Sequence, residues 1–120
     1  MMSDKDRIFN ILCQHCCSIM DGWIPYPSTV MHTHFPHLSL YKVRKYLNTL
    51  RQEGLVDTEL WVEPGEEHPI LIRGWVVTKA GRSTAEFELA HQDERKRCLE
   101  CFGFDIGESF IDLNEVEELL

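Results

Sequence analysis

The stretch SLYKVRKYLNTLRQEGLV, residues 39–56, decides how the chain is read. Ser39 precedes a run in which Val43, Leu47 and Leu50 recur at helical spacing, with Leu40 and Tyr46 flanking. A serine in that place is an N-cap. Gly54 closes the run, because glycine readily takes the left-handed position that follows a helix end. A helix with one buried stripe is expected here, and its other face carries Tyr41, Lys42, Lys45 and Asn48, with Arg44 and Thr49 at the margins.

Upstream, residues 4–20 read as a helix. Ser3 is its cap, and Asp4 and Asp6 suit the positive end of the dipole. Ile8, Ile11, Leu12, Cys16 and Ile19 recur at helical spacing, and Phe9, Cys13 and Met20 widen the apolar surface. Asp21-Gly22 is read as the stop. WIPYP (23–27) is an extended linker, because a residue before proline is driven from helical angles. Residues 28–34 suggest a short helix with Val30 and Met31 inward, stopped by Pro36.

Downstream, Leu55 to Val62 and Ile70 to Thr78 are rich in β-formers and flank EPGEEHP, which reads as a loop. The pair predicts a hairpin. Thr78 is read as the cap of a helix running to Phe102, with Ala80, Thr84, Phe87, His91, Cys98 and Cys101 near one seam that Glu94 interrupts. Gly103 is its stop. SFIDLNEVEELL (109–120) reads as a short amphipathic helix, with Ser109 and Asp112 as a capping box and Phe110, Leu113, Val116 and Leu120 as its apolar side.

This order of elements resembles the winged helix-turn-helix fold over residues 5–100. Residues 39–56 resemble its recognition helix and first wing strand. GWVVTKAGR (74–82) resembles the second wing strand and following junction of MarR-like and PadR-like regulators, with Val77 where those families often have Leu. The resemblance implies an α+β fold: a three-helix core with a β-hairpin wing at 1–78 and a dimerisation helix at 79–102, to which residues 103–120 add an acidic amphipathic tail with a short helix. It also implies sequence-specific reading of double-stranded DNA by residues 39–53, in a transcriptional regulator acting as a homodimer.

The residue chemistry fits that expectation on one side of the molecule. Lysine donates to guanine or phosphate, asparagine pairs with adenine, and tyrosine reaches phosphate or thymine methyls. Ser39 and the helix start suit a phosphate. The expected DNA-binding residues are Ser39, Tyr41, Lys42, Arg44, Lys45, Asn48 and Thr49, with Arg73 from the second strand. The bland alternative is a solvated helix face.

Charge divides the chain. The net charge of −8 over 120 residues argues against a protein that coats DNA. Residues 28–54 nevertheless carry four bases against Glu53 alone, whereas 55–78 carry five acids against Arg73 and 103–120 carry six acids and no base. Glu63, Glu66 and Glu67 would repel phosphate from the wing tip. The alternative class is therefore a winged-helix protein-interaction module whose acidic wing or tail binds a protein and no DNA. Autoinhibitory docking of the tail on the basic face is a further option, and packing of Phe110 and Leu113 on the chain's own core is preferred.

Two patterns carry metal-ligand residue types. His32, His34 and His37 form H-x-H-x-x-H, but the first two stand about 200° apart on a helix and cannot share a face. They are expected in an exposed turn, adding positive charge below a pKa of about 6.5. Cys13-x-x-Cys16 and Cys98-x-x-Cys101 form a CxxC…CxxC pair that a zinc- or redox-sensing regulator would use. Both pairs lie in expected helices, and cysteine packs well as a small hydrophobe, so packing is the preferred reading and no cofactor is expected.

No nucleophile elbow, Gly-rich phosphate loop or carboxylate motif appears, so an enzyme is not expected. No apolar run reaches the roughly 20 residues of a membrane helix, no secretory signal is read at the N-terminus, and five cysteines suit a reduced setting. A cytoplasmic protein without a membrane partner is the expectation.

Overall fold

The computed structural model describes residues 2–112. Ser3 accepts a hydrogen bond from the Asp6 N–H at 3.2 Å and starts α1 (Asp4–Cys17). α1 buries Ile8, Phe9, Leu12, Cys13 and Cys17. It ends three residues before the expected Met20. Ser18 turns extended, and the next N–H, that of Ile19, leaves the helix to donate to the Glu94 carboxylate at 3.0 Å. Ile19 and Met20 are exposed instead of continuing the stripe. Gly22 closes the turn where a Cβ would meet the Cys16 and Ser18 carbonyl oxygens at 2.4 Å.

The proline-rich linker runs extended into α2 (Ser28–His32), shorter than the expected 28–34. Met31 is buried, but Val30 faces solvent, contrary to the expected inward pair. α3 (Leu40–Gln52) follows, with Gly54 at φ 82° just beyond its end. β1 (Val56–Glu63) and β2 (Ile70–Val77) form the antiparallel hairpin, from Val56 opposite Val77 to Glu63 opposite Ile70. Tyr26 adds one residue of a third strand: its N–H and C=O both bond Trp75 at 2.9 Å.

Thr78 does not cap the last long helix. Its hydroxyl donates to the Gly54 carbonyl at 2.6 Å and accepts from the Gly81 N–H, anchoring a 3-10 turn at Gly81–Ser83. Six residues on, Thr84 accepts from the Phe87 N–H and starts α4 (Ala85–Phe102), which ends at left-handed Gly103. α4 buries Phe87, Ala90, His91, Glu94 and Cys98. The expected seam is thus displaced, since Ala80 and Cys101 are exposed and Thr84 is spent on the cap. Glu94 lies within the buried face, where Arg97 and the Ile19 N–H answer its charge.

The core joins these elements. Ile8, Leu12, Phe35, Val43, Leu47, Leu50, Val56, Trp75, Val77 and Phe87 are all nearly or fully buried. Fully burying such a side chain contributes roughly 1.5–3 kcal/mol, so this cluster fixes α1, α3, α4 and the hairpin base together. After α4 the chain folds back. Arg95 grips Asp105 with two bonds of 2.8 and 2.9 Å, His91 Nε2 donates to the Gly107 carbonyl, and Phe110 sets its ring edge-on against Phe87. Asp112 pairs with Arg82 at 2.9 Å. Residues 110–112 are not helical. The remainder of the expected tail helix, with Leu113, Val116 and Leu120, lies outside the described residues.

The architecture is α+β, with helices around an antiparallel hairpin in an order compatible with a winged-helix layout. No helix among the described residues is long and apolar enough to cross a membrane.

Candidate nucleic-acid interface

Ser39 holds the start of α3 by accepting from the Lys42 N–H at 3.1 Å. Val43 and Leu47 are fully buried and Leu50 nearly so, which fixes the helix's rotation about its axis. The opposite face is set by that rotation. Tyr41 is 75% exposed, Arg44, Lys45 and Asn48 are exposed, and Lys42 and Thr49 are half-buried. The expected helix residues are therefore brought to one surface. Arg73 is not among them. It projects from β2 opposite Leu60, on the hairpin rather than on the helix.

The face is not uniformly basic. Towards the C-terminus of α3, Arg51 pairs with Asp57 at 3.0 Å, and Glu53 takes Lys5 at 2.6 Å. These contacts neutralise that end locally. Lys42, Arg44 and Lys45 make no ion pair among the described residues. Lys42 Nζ instead lies 5.0 Å from the centre of the Tyr46 ring, a cation-π contact that leaves its charge uncancelled. Thr49 is partly spent on its own helix, its hydroxyl donating to the Lys45 carbonyl at 3.0 Å. The positive charge is concentrated in the first half of α3. Arg51 belongs to the basic island in sequence alone, because its partner Asp57, six residues on, lies in the next strand.

The three histidines do not converge. His32 is half-buried, not exposed, and its Nε2 donates to the Leu38 carbonyl at 2.7 Å, tying the end of α2 to the start of α3. His34 meets the Tyr26 hydroxyl at 2.9 Å, and His37 donates to Asp4 at 3.1 Å. Each ring has a separate structural partner across the approach to α3.

The cysteines pack. Cys13 and Cys98 are fully buried, Cys17 nearly so, Cys16 is half-buried and Cys101 is exposed. Burial pushes the Cys16 thiol up to about 11 and Cys17 to about 12, and raises Cys13 and Cys98 as well. Such thiols stay protonated at neutral pH and are poor nucleophiles. Among the described residues, no three His, Cys, Asp or Glu side chains are grouped to hold a metal ion.

Compared with protein-family models, curated proteins and solved structures, the chain matches none of them.

Proposed function

We propose that this chain is a winged-helix, sequence-specific DNA-binding transcriptional regulator that inserts α3 into the major groove. The observation that carries the reading is the first half of α3: a helix held by Ser39 and its buried stripe, displaying Tyr41, Lys42, Arg44, Lys45 and Asn48, with no acid among the described residues paired to its cations. Recognition helices present base-reading residues from their N-terminal part. The Tyr26–Trp75 pairing also supports the winged layout, since it adds a third strand position between the first two helices and the wing. Homodimerisation is part of the reading. Leu99 and Phe102, at i and i+3 on α4, are about half exposed and suit a helix packed against a second copy.

A second reading is favoured by a separate observation. The wing carries Asp57, Glu59, Glu63, Glu66 and Glu67 beside exposed Leu60, Val62, Ile70 and Leu71, a combination suited to protein and not to phosphate. Under that reading the chain is an interaction module without DNA.

Fluorescence anisotropy with a mixed-sequence duplex at low and moderate salt separates the two. Salt-sensitive binding that a Lys42→Ala/Lys45→Ala double variant loses is the expected result. No binding at low salt would remove the electrostatic basis of the DNA reading and leave the interaction module.

A further inference from the structure

The hairpin extends beyond the core that covers its base. Val56, Val77 and Trp75 are buried on one face. Farther out on that face, Leu60, Val62 and Leu71 are 46, 55 and 61% exposed. The register turns Asp57, Glu59 and Glu63 to the other face.

The open backbone positions follow from one bond pair. Trp75 directs its N–H and C=O to Tyr26, away from β1. In an antiparallel ladder the direction alternates, so Asp57, Glu59, Trp61 and Glu63 bond β2 while Thr58, Leu60 and Val62 point to the outer edge. Thr58 N–H agrees, being taken by the Asp57 carboxylate at 2.8 Å. Among the described residues no strand lies beyond β1, and no backbone bond reaches Leu60 or Val62 from that side.

We propose that the outer edge of β1 is a docking site for an extended segment of a partner protein in which apolar residues alternate with lysine or arginine. The added strand takes its main-chain bonds from Leu60 and Val62. Its apolar side chains lie beside Leu60 and Val62, and its bases lie on the face of Glu59 and Glu63. Charge selects this occupant. A second copy pairing antiparallel about Trp61 would set Glu59 opposite Glu63 twice, and pairing about Leu60 would set Asp57 opposite Glu63; like charges so placed are destabilising. Residues 113–120 carry three acids and no base, so they complement the edge no better. DNA is repelled by the same acids.

The test uses the full chain and fluorescein-labelled peptides: one of alternating valine and lysine, and one of the same composition with the two residues in separate blocks. The alternating peptide is expected to bind at least about tenfold tighter. Val62→Pro removes an outward N–H without touching the bonds to β2, a place where proline is tolerated, and is expected to abolish that preference. Should Val62→Pro fail to fold, Leu60→Lys keeps the strand and sets a charge against the peptide's valines, with the same expected loss. The Lys42→Ala/Lys45→Ala variant is expected to keep peptide binding, so failure here and failure of the DNA reading are told apart. Equal binding of both peptides, or unchanged preference in Val62→Pro and Leu60→Lys, would overturn the proposal. So would a dimer in sedimentation that Val62→Pro converts to monomer, because a second copy would then hold the edge.

Discussion

Tyr26 and Trp75 exchange both main-chain hydrogen bonds at 2.9 Å, joining the proline-rich linker to the second strand of the hairpin. Trp75 Nε1 also donates to Ser28 at the start of α2, again at 2.9 Å. The approach depends on Gly74, where an added Cβ would stand 2.6 Å from the Tyr26 carbonyl carbon and 2.7 Å from that of Pro25. Those contacts are backbone and cannot swing aside. Gly74→Ala is expected to destabilise the protein by about 1–3 kcal/mol, the usual cost of overpacking. Thermal unfolding by circular dichroism checks it, with a midpoint lowered by roughly 3–6 °C per kcal/mol. A midpoint equal to wild type would show that the linker moves freely.

That pairing also marks where sequence reading stops. α3 was legible because both ends and the stripe agree: Ser39 caps, Gly54 takes φ 82°, and Val43, Leu47 and Leu50 share one side. The exposed face of the candidate site followed from the same stripe. A one-residue strand at Tyr26 has no periodicity to read. Two capping threonines stand six residues apart, and local pattern does not say that Thr78 is drawn to the Gly54 carbonyl, leaving α4 to Thr84. The early end of α1 likewise depends on Glu94, distant in sequence. The neutralisation of Arg51 depends on β1 bringing Asp57 alongside.

Glu94 gives a pH-dependent prediction. Burial pushes its carboxyl up, but the Arg97 guanidinium and the Ile19 N–H more than offset this, and the net shift is downward. A carboxylate with a folded pKa below its unfolded one stabilises above the unfolded value. That contribution falls away as pH drops through the folded pKa. Glu94→Gln is therefore expected to destabilise at neutral pH and to lose its deficit under strong acid. Arg97 is 43% exposed, and water screens the pair, so the neutral-pH cost is about 1 kcal/mol. Urea unfolding at several pH values checks this, and a deficit independent of pH would contradict it.

The thiols are expected to separate into two classes. Cys101 is exposed on α4, whereas Cys13, Cys17 and Cys98 are buried and Cys16 is half-buried with its thiol pushed up to about 11. A thiol-reactive disulfide reagent at neutral pH is expected to modify one cysteine quickly and the rest only as the protein opens. Cys101→Ser is expected to remove the fast phase. Two or more fast thiols in the wild type would show that the packing of α1 against α4 opens readily.

The basic face yields a comparison between two cations on one helix. Lys45 is exposed without an acid partner among the described residues, while Arg51 is held by Asp57 at 3.0 Å. A cation bound to phosphate releases counterions, so each such contact steepens the salt dependence of DNA affinity by about 0.9 in log–log slope. Lys45→Ala is expected to flatten the slope by about that amount. Arg51→Ala is expected to change it little, because Arg51 is engaged with Asp57 and lies towards the far end of α3 from the groove-facing residues. Anisotropy titrations of wild type and both variants over a range of salt concentrations measure the difference. Equal flattening by both would mean that the Arg51–Asp57 pair breaks on binding and that the contact extends along all of α3; flattening by Arg51→Ala alone would put the DNA against the hairpin end of the helix and overturn the assignment to its first half.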